Sequence, residues 1–204
     1  MDDATVERSN RIHARLKATA RRYPDILAQL DTLPLFKRYR VGYKAVGVVH
    51  GDAESLAGWM FDATAMDEPE NKCKIPGLFG RSQVDIFAST HTCLPALRRF
   101  KLAQGHHGVV VNNGAAGMPN FRDKPGGLLT RISMHPSPHP GLYGERLDGV
   151  FIDSLQINYD RALWQASFLT NWPPGSDAYQ SYFSRIVHGP DYTLVRATDH
   201  EQLH

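Results

Sequence analysis

The chain has 204 residues and a mass of 22.8 kDa, enough for one sizeable hydrophobic core. Apolar residues make up 42% and charged residues 22%, which argues against disorder of the chain as a whole. With 23 Lys and Arg against 21 Asp and Glu, the charge balance gives no case for nucleic acid or an anionic membrane as partner.

Cys73 and Cys93 form neither a CxxC pair nor a zinc-knuckle spacing, so a reducing compartment is expected. The opening segment is charged and lacks the apolar core of a signal peptide. No stretch nears the roughly 20 apolar residues of a membrane span, and the cytoplasm is the expected location.

In chain order, residues 4–22 read as a helix, with Val6, Ile12, Leu16 and Thr19 near helical spacing. Pro24 suits the first turn of a second helix, which Leu33-Pro34 ends. Residues 36–41 and 45–49 read as a hairpin whose second strand runs into His50-Gly51-Asp52. Residues 55–61 read as a short helix, 67–74 as a polar loop and 77–81 as one helical turn. Residues 84–88 and 109–111 are apolar strands, and 128–134 alternates like a half-buried one. The Pro- and His-rich segment 134–141 is a loop. Residues 150–159 and 162–169 read as an antiparallel pair, 176–187 as a closing helix capped by Ser176, and the residues from Thr198 as a frayed tail. The expectation is one α/β domain over residues 1–204, with 1–34 as a helical lead-in.

Three apolar strands each end in a polar cluster: VVHGD at residues 48–52, FASTHT at 87–92 and VVVNNGAAGMP at 109–119. Functional groups collect at the carboxyl ends of strands in α/β sheets, so side-by-side packing would bring His50, His91 and Asn112 to one rim. Imidazole with carboxylate and amide oxygens is the donor chemistry of a hydrolytic metal centre. Each piece also has a plain structural reading. A histidine after a strand commonly serves as a hydrogen-bonding residue, and Gly51, Gly114 and Gly117 serve tight turns. Cys93 reads as a small buried hydrophobe, since no group that would activate a thiolate accompanies it. His106 and His107 read as strand-capping or solvent-facing, and metal binding by His135 and His139 is a minor reading.

The order of these clusters resembles the calcineurin-like metallophosphoesterases, in particular their smaller bacterial members, over about residues 30–135. The resemblance implies a partial four-layer α/β/β/α sandwich with mixed sheets. It implies that His50 and His91 are metal ligands, each usually serving a different ion, and that Asn112 opens the loop bracing the site. Asp52, Ser89, Asn113 and Gly114 would then lie in the surrounding or substrate-facing loops. The implied cofactor is a divalent metal, Mn, Fe, Zn or Ni, two ions in a complete site and at most one here. The implied chemistry is hydrolysis of phosphate mono- or diesters, phosphodiesters among them, by metal-activated water.

The departures are specific. Ala88-Ser89 stands where the family has Gly-His, and Asn113 and Ala115 replace Pro and Ser. The family's Asp-x-His, Gly-Asp and Gly-Asn-His strands, which supply the bridging carboxylate and the catalytic acid, do not precede residue 48. The sole upstream histidine, His13, lies on a predicted helix. The opening strands are therefore expected to be missing, no catalytic residue is identified, and turnover by this chain alone is not expected to be efficient. The alternatives are a degenerate, non-catalytic scaffold used for binding, and an unrelated α/β domain with chance matches. The expected partner is a phosphate-ester small molecule, with an oligomer through an exposed sheet edge as a further possibility.

Overall fold

The computed structural model of the chain describes residues 2–122 and 124–198. They fall into two compact units, one of residues 2–34 and 159–188, the other of residues 35–158 and 189–198 apart from residue 123. Among the described residues no helix is long and apolar enough to cross a membrane.

The smaller unit is helical. α1 (Asp3–Ala20) opens on Asp2, whose carboxylate accepts the Thr5 N–H at 2.9 Å, and α2 (Pro24–Asp31) begins on a proline that needs no hydrogen-bond acceptor there. α4 (Arg161–Asn171) is capped by Asp160, which accepts from Leu163 N at 2.9 Å. A π-turn over Tyr179–Phe183 leads into α5 (Ser184–His188). Arg11 donates twice to Asp177, and the Arg15 guanidinium lies 4.0 Å above the Trp172 ring. The expected strand at 162–169 is therefore a helix. Its short apolar run is compatible with either period, and the cap at Asp160 with Trp164 and Phe168 four apart settles it as helical.

The larger unit holds two sheets. β1 (Phe36–Val41), β2 (Lys44–Val49), β3 (Ile86–Ser89), β4 (Pro95–Lys101) and β5 (His107–Asn113) form a mixed sheet in the order β1-β2-β3-β5-β4. β2, β3 and β5 run parallel, and β1 and β4 pair antiparallel at the two edges. β6 (Gly127–Ser133), β7 (Tyr143–Leu147) and β8 (Val150–Ile157) form an antiparallel sheet in the order β6-β8-β7. Val46, Ile86, Val109 and Val111 of the first sheet pack on Leu147, Val150 and Ile152 of the second. The opposite face of the first sheet carries Phe87, Val110 and Phe100, and α3 (Pro69–Ser82) covers it with Ile75, Leu78 and Phe79. Gly108 permits this close approach, because a Cβ there would stand 2.6 Å from the Phe79 ring.

The mixed α/β class with two sheets is as expected from sequence. Several local readings change. Residues 55–61 form turns rather than a helix, because the Asp52 carboxylate gathers their amides. The polar loop at 67–74 and the helical turn at 77–81 belong mostly to the single helix α3, which starts at Pro69 and accommodates Pro76 inside it. β4 and β7 were not anticipated: both are edge strands, rich in charge and carrying Pro95 or Gly144, residues that read locally as breakers. A last short helix, α6 (Leu194–Thr198), closes the described residues, and the tail expected to fray lies outside them beyond Thr198.

Candidate functional site

The parallel order β2-β3-β5 puts the three polar clusters on one rim, as side-by-side packing requires. The chain leaving β2 and the chain leaving β3 are tied together, since Thr90 N and His91 N both donate to His50 O, at 3.2 and 2.9 Å. This pinning brings His91 Nδ1 to 3.0 Å from His50 Nε2, with the rings edge to face at 4.8 Å between centroids. The Trp59 and His91 rings meet edge to face, at 5.7 Å between centroids. The His50 ring is held below its ordinary pKa, first by partial burial and then by the neighbouring His91, so the neutral, ligating form is favoured.

Behind the pair, Asn112 is fully buried at the end of β5. It donates to Phe61 O at 3.0 Å and to Thr92 Oγ1 at 2.8 Å, and its oxygen accepts from Gly114 N at 3.0 Å. It therefore locks the turn after His91 from behind. Asn113 joins the two sheets, donating to Leu128 O and accepting from Thr130 Oγ1. Gly114 has φ 69° and accepts from Thr90 Oγ1 at 2.8 Å, and a Cβ there would collide with Asn120 and Pro95.

Asp52 and Ser89 are positioned differently from the histidines. The Asp52 carboxylate is buried and accepts the amides of Glu54, Ser55 and Met60, at 2.9, 2.9 and 3.2 Å. It organises the loop after His50. The loop wraps it so closely that a Cβ on Gly58 would collide with the carboxylate. Ser89 is buried and donates to Gly51 O at 2.7 Å. Both side chains are engaged in holding backbone. Cys93 is half-buried, with Sγ 3.5 Å from His91 O in the turn that follows. His13, His106, His135 and His139 take no part in the pair.

Two imidazole nitrogens 3.0 Å apart have the spacing of a shared proton or of two ligands on one ion. Zinc sites take four donors and harder ions six or more. Among the described residues no group of three or more His, Cys, Asp or Glu converges to hold a metal. The donors present thus amount to a two-nitrogen fragment and do not make a metal centre by themselves.

Sequence reasoning missed Trp59 and Thr92 as neighbours of this pair. It also missed a groove of about 680 Å³ beside His50, bordered by Phe36, Arg38, Val49, Leu56 and Phe87. Val49, Phe87 and Thr92 lie within the quoted clusters, whereas no local signal marks Phe36, Arg38, Leu56 and Trp59, which come from separate segments.

Fold and site together define an α/β two-sheet scaffold with a histidine pair at the carboxyl ends of adjacent parallel strands. No family model matches the chain, and no curated protein matches it. Among solved structures, the hypothetical protein PH1004 from Pyrococcus horikoshii OT3 is similar at 14% identity and a TM-score of 0.52, with 81% of this chain and 54% of that one covered. A metallophosphoesterase from Sphaerobacter thermophilus is similar at 17% identity and a TM-score of 0.49, over 80% of this chain and 62% of that one. Vacuolar Protein Sorting 29 from Cryptosporidium parvum follows at 17% identity and a TM-score of 0.31, over 61% and 58%. A metallophosphoesterase is thus among the solved structures similar to this chain. The chain spans about half the length of the first of these proteins, and that likeness bears on the fold alone.

Proposed function

We propose that this chain carries part of the metal centre of a phosphate-ester hydrolase. The observation that supports it is the His50–His91 pair, set at 3.0 Å on the rim of β2 and β3 with Asn112 locked behind it. The order of the motifs around these residues resembles that of calcineurin-like metallophosphoesterases. A divalent ion bound there would act as a Lewis acid toward a phosphate ester. The residues present contribute two nitrogen donors toward it and a rigid backing, and efficient turnover needs donors beyond these.

The test is calorimetric titration of Mn, Fe, Zn and Ni into the chain and into His50→Ala and His91→Ala, with hydrolysis of bis-p-nitrophenyl phosphate followed alongside. The expected result is weak uptake of a single ion, lost in both variants, with slow metal-dependent hydrolysis lost with it. Unchanged uptake in both variants would overturn the reading.

A second reading, a non-catalytic scaffold that binds a phosphorylated ligand or a partner, is favoured by one observation. Ser89 and Asp52, which stand in the motifs, spend their side chains on backbone groups. A stably folded chain with no metal uptake, yet with saturable binding of a phosphorylated ligand, is its signature.

A further inference from the structure

β1 is the terminal strand of the five-stranded sheet, and its partner on one side is β2. Among the described residues no backbone hydrogen bond outside that ladder reaches residues 36–41. One row of N–H and C=O groups therefore faces outward, a template for another strand. Residues 36–40 are all exposed, Phe36 at 69% and Tyr39 at 52%, and Leu35 just before them at 71%. Exposure of this much apolar side chain along an open edge is what a monomeric protein avoids.

The charges on the edge decide what fits. β1 carries Lys37, Arg38 and Arg40 and no acidic residue. In the antiparallel register that pairs all six residues of two copies, Lys37 would face Arg40 at both symmetric positions. Like charges directly opposite each other destabilise a strand pair. The cations that discourage a second copy favour a strand carrying carboxylates. Strand alternation puts Phe36, Arg38 and Arg40 on one face and Lys37, Tyr39 and Val41 on the other. The first face opens on the groove of about 680 Å³, where Phe36, Val49, Leu56, Val84 and Phe87 offer apolar walls. An entering strand would meet two arginines and then an apolar recess on that face, and Tyr39 on the other.

We propose that the outer edge of β1 takes up an extended acidic peptide segment as a sixth strand, with carboxylates against Arg38 and Arg40 and apolar side chains beside Phe36 and Tyr39. His50 also borders this groove, so the test is run with a chelator present to keep strand uptake distinct from metal binding.

The probe is a fluorescein-labelled octapeptide with glutamates at two successive positions of one face and valine at the next position of that face and along the other, titrated by anisotropy into the full chain. Saturable binding is expected, weakened about tenfold or more by Arg38→Glu with Arg40→Glu and by raising salt. The same peptide N-methylated at alternate residues should lose binding to the unaltered chain, because it cannot complete the ladder. This arm needs no variant to fold. Equal binding of a lysine counterpart, retained binding of the N-methylated peptide, or no saturable binding overturns the proposal. A concentration-dependent dimer that the acidic peptide does not dissociate overturns it in favour of a second copy.

Discussion

His91 Nδ1 lies 3.0 Å from His50 Nε2 although 41 positions separate the two residues, because two amides of the chain leaving β3, Thr90 N and His91 N, donate to His50 O in the chain leaving β2. If both nitrogens face the same ion, each contributes comparably to holding it. His50→Ala and His91→Ala should then each lower Zn(II) affinity by about tenfold or more, while the urea midpoint moves by less than the equivalent of ~1 kcal/mol. Since His50 is held below its ordinary pKa, its proton competes with the metal only in acid. As far as His50 decides it, uptake should persist through the ordinary histidine range and be lost only at more acid pH.

Asn112 makes three buried hydrogen bonds and touches no solvent. Asn112→Ala would leave Phe61 O, Thr92 Oγ1 and Gly114 N without their partner and should cost about 3 kcal/mol by chemical denaturation. Asn112→Asp removes the two donors yet keeps the acceptor, and adds a buried charge, so it should be at least as damaging near neutral pH. Loss of metal uptake in these variants should follow the loss of stability, which separates bracing from ligation.

The loop after His50 depends on a single carboxylate. Asp52→Asn retains one acceptor oxygen but turns an NH2 toward an amide that needs an acceptor, at an expected cost of about 1–2 kcal/mol. Gly58→Ala should cost more, because its Cβ collides with the same carboxylate. Comparable or smaller losses for Gly58→Ala, measured by urea unfolding, would show that the loop opens to make room.

Arg98 is buried on β4, where it holds Asp67 with two nitrogens at 3.0 and 2.9 Å and donates to Ala197 O and Arg196 O at 2.8 and 2.9 Å. It fastens α6 to the edge of the five-stranded sheet. Arg98→Met should cost about 3 kcal/mol and raise amide exchange in α6 first. Lys at this position cannot reproduce the fork and should restore little.

Burial pushes the Tyr143 hydroxyl up to about 12, with Ser154 and Arg98 pulling the other way, and burial raises Tyr192 as well. A tyrosine ionises near 10 in the unfolded chain. Between these values the unfolded state loses protons that the folded state keeps, so stability falls as pH rises above about 10. Urea midpoints compared at pH 8 and pH 11 should show the loss, and Tyr143→Phe should reduce it.

The sequence by itself determined the chemistry at the strand ends. Apolar runs closed by VVHGD, FASTHT and VVVNNGAAG mark β2, β3 and β5, because a buried strand needs a continuous apolar stretch and its exit needs polar or glycine residues. Local signals of this kind survive in isolation. The helix at 161–171 did not, because a short apolar run fits either period until its cap and its packing are known. β4 and β7 did not either, since edge strands tolerate the charges, proline and glycine that locally read as breaks. Only the tertiary structure decided that β2, β3 and β5 are neighbours and parallel, which brings His50 to His91 and sets Asn112 behind them. Only it turned Asp52 and Ser89 inward to backbone partners. Those outcomes depend on strand register and on hydrogen bonds between segments far apart in the chain, energies that no local stretch of residues contains.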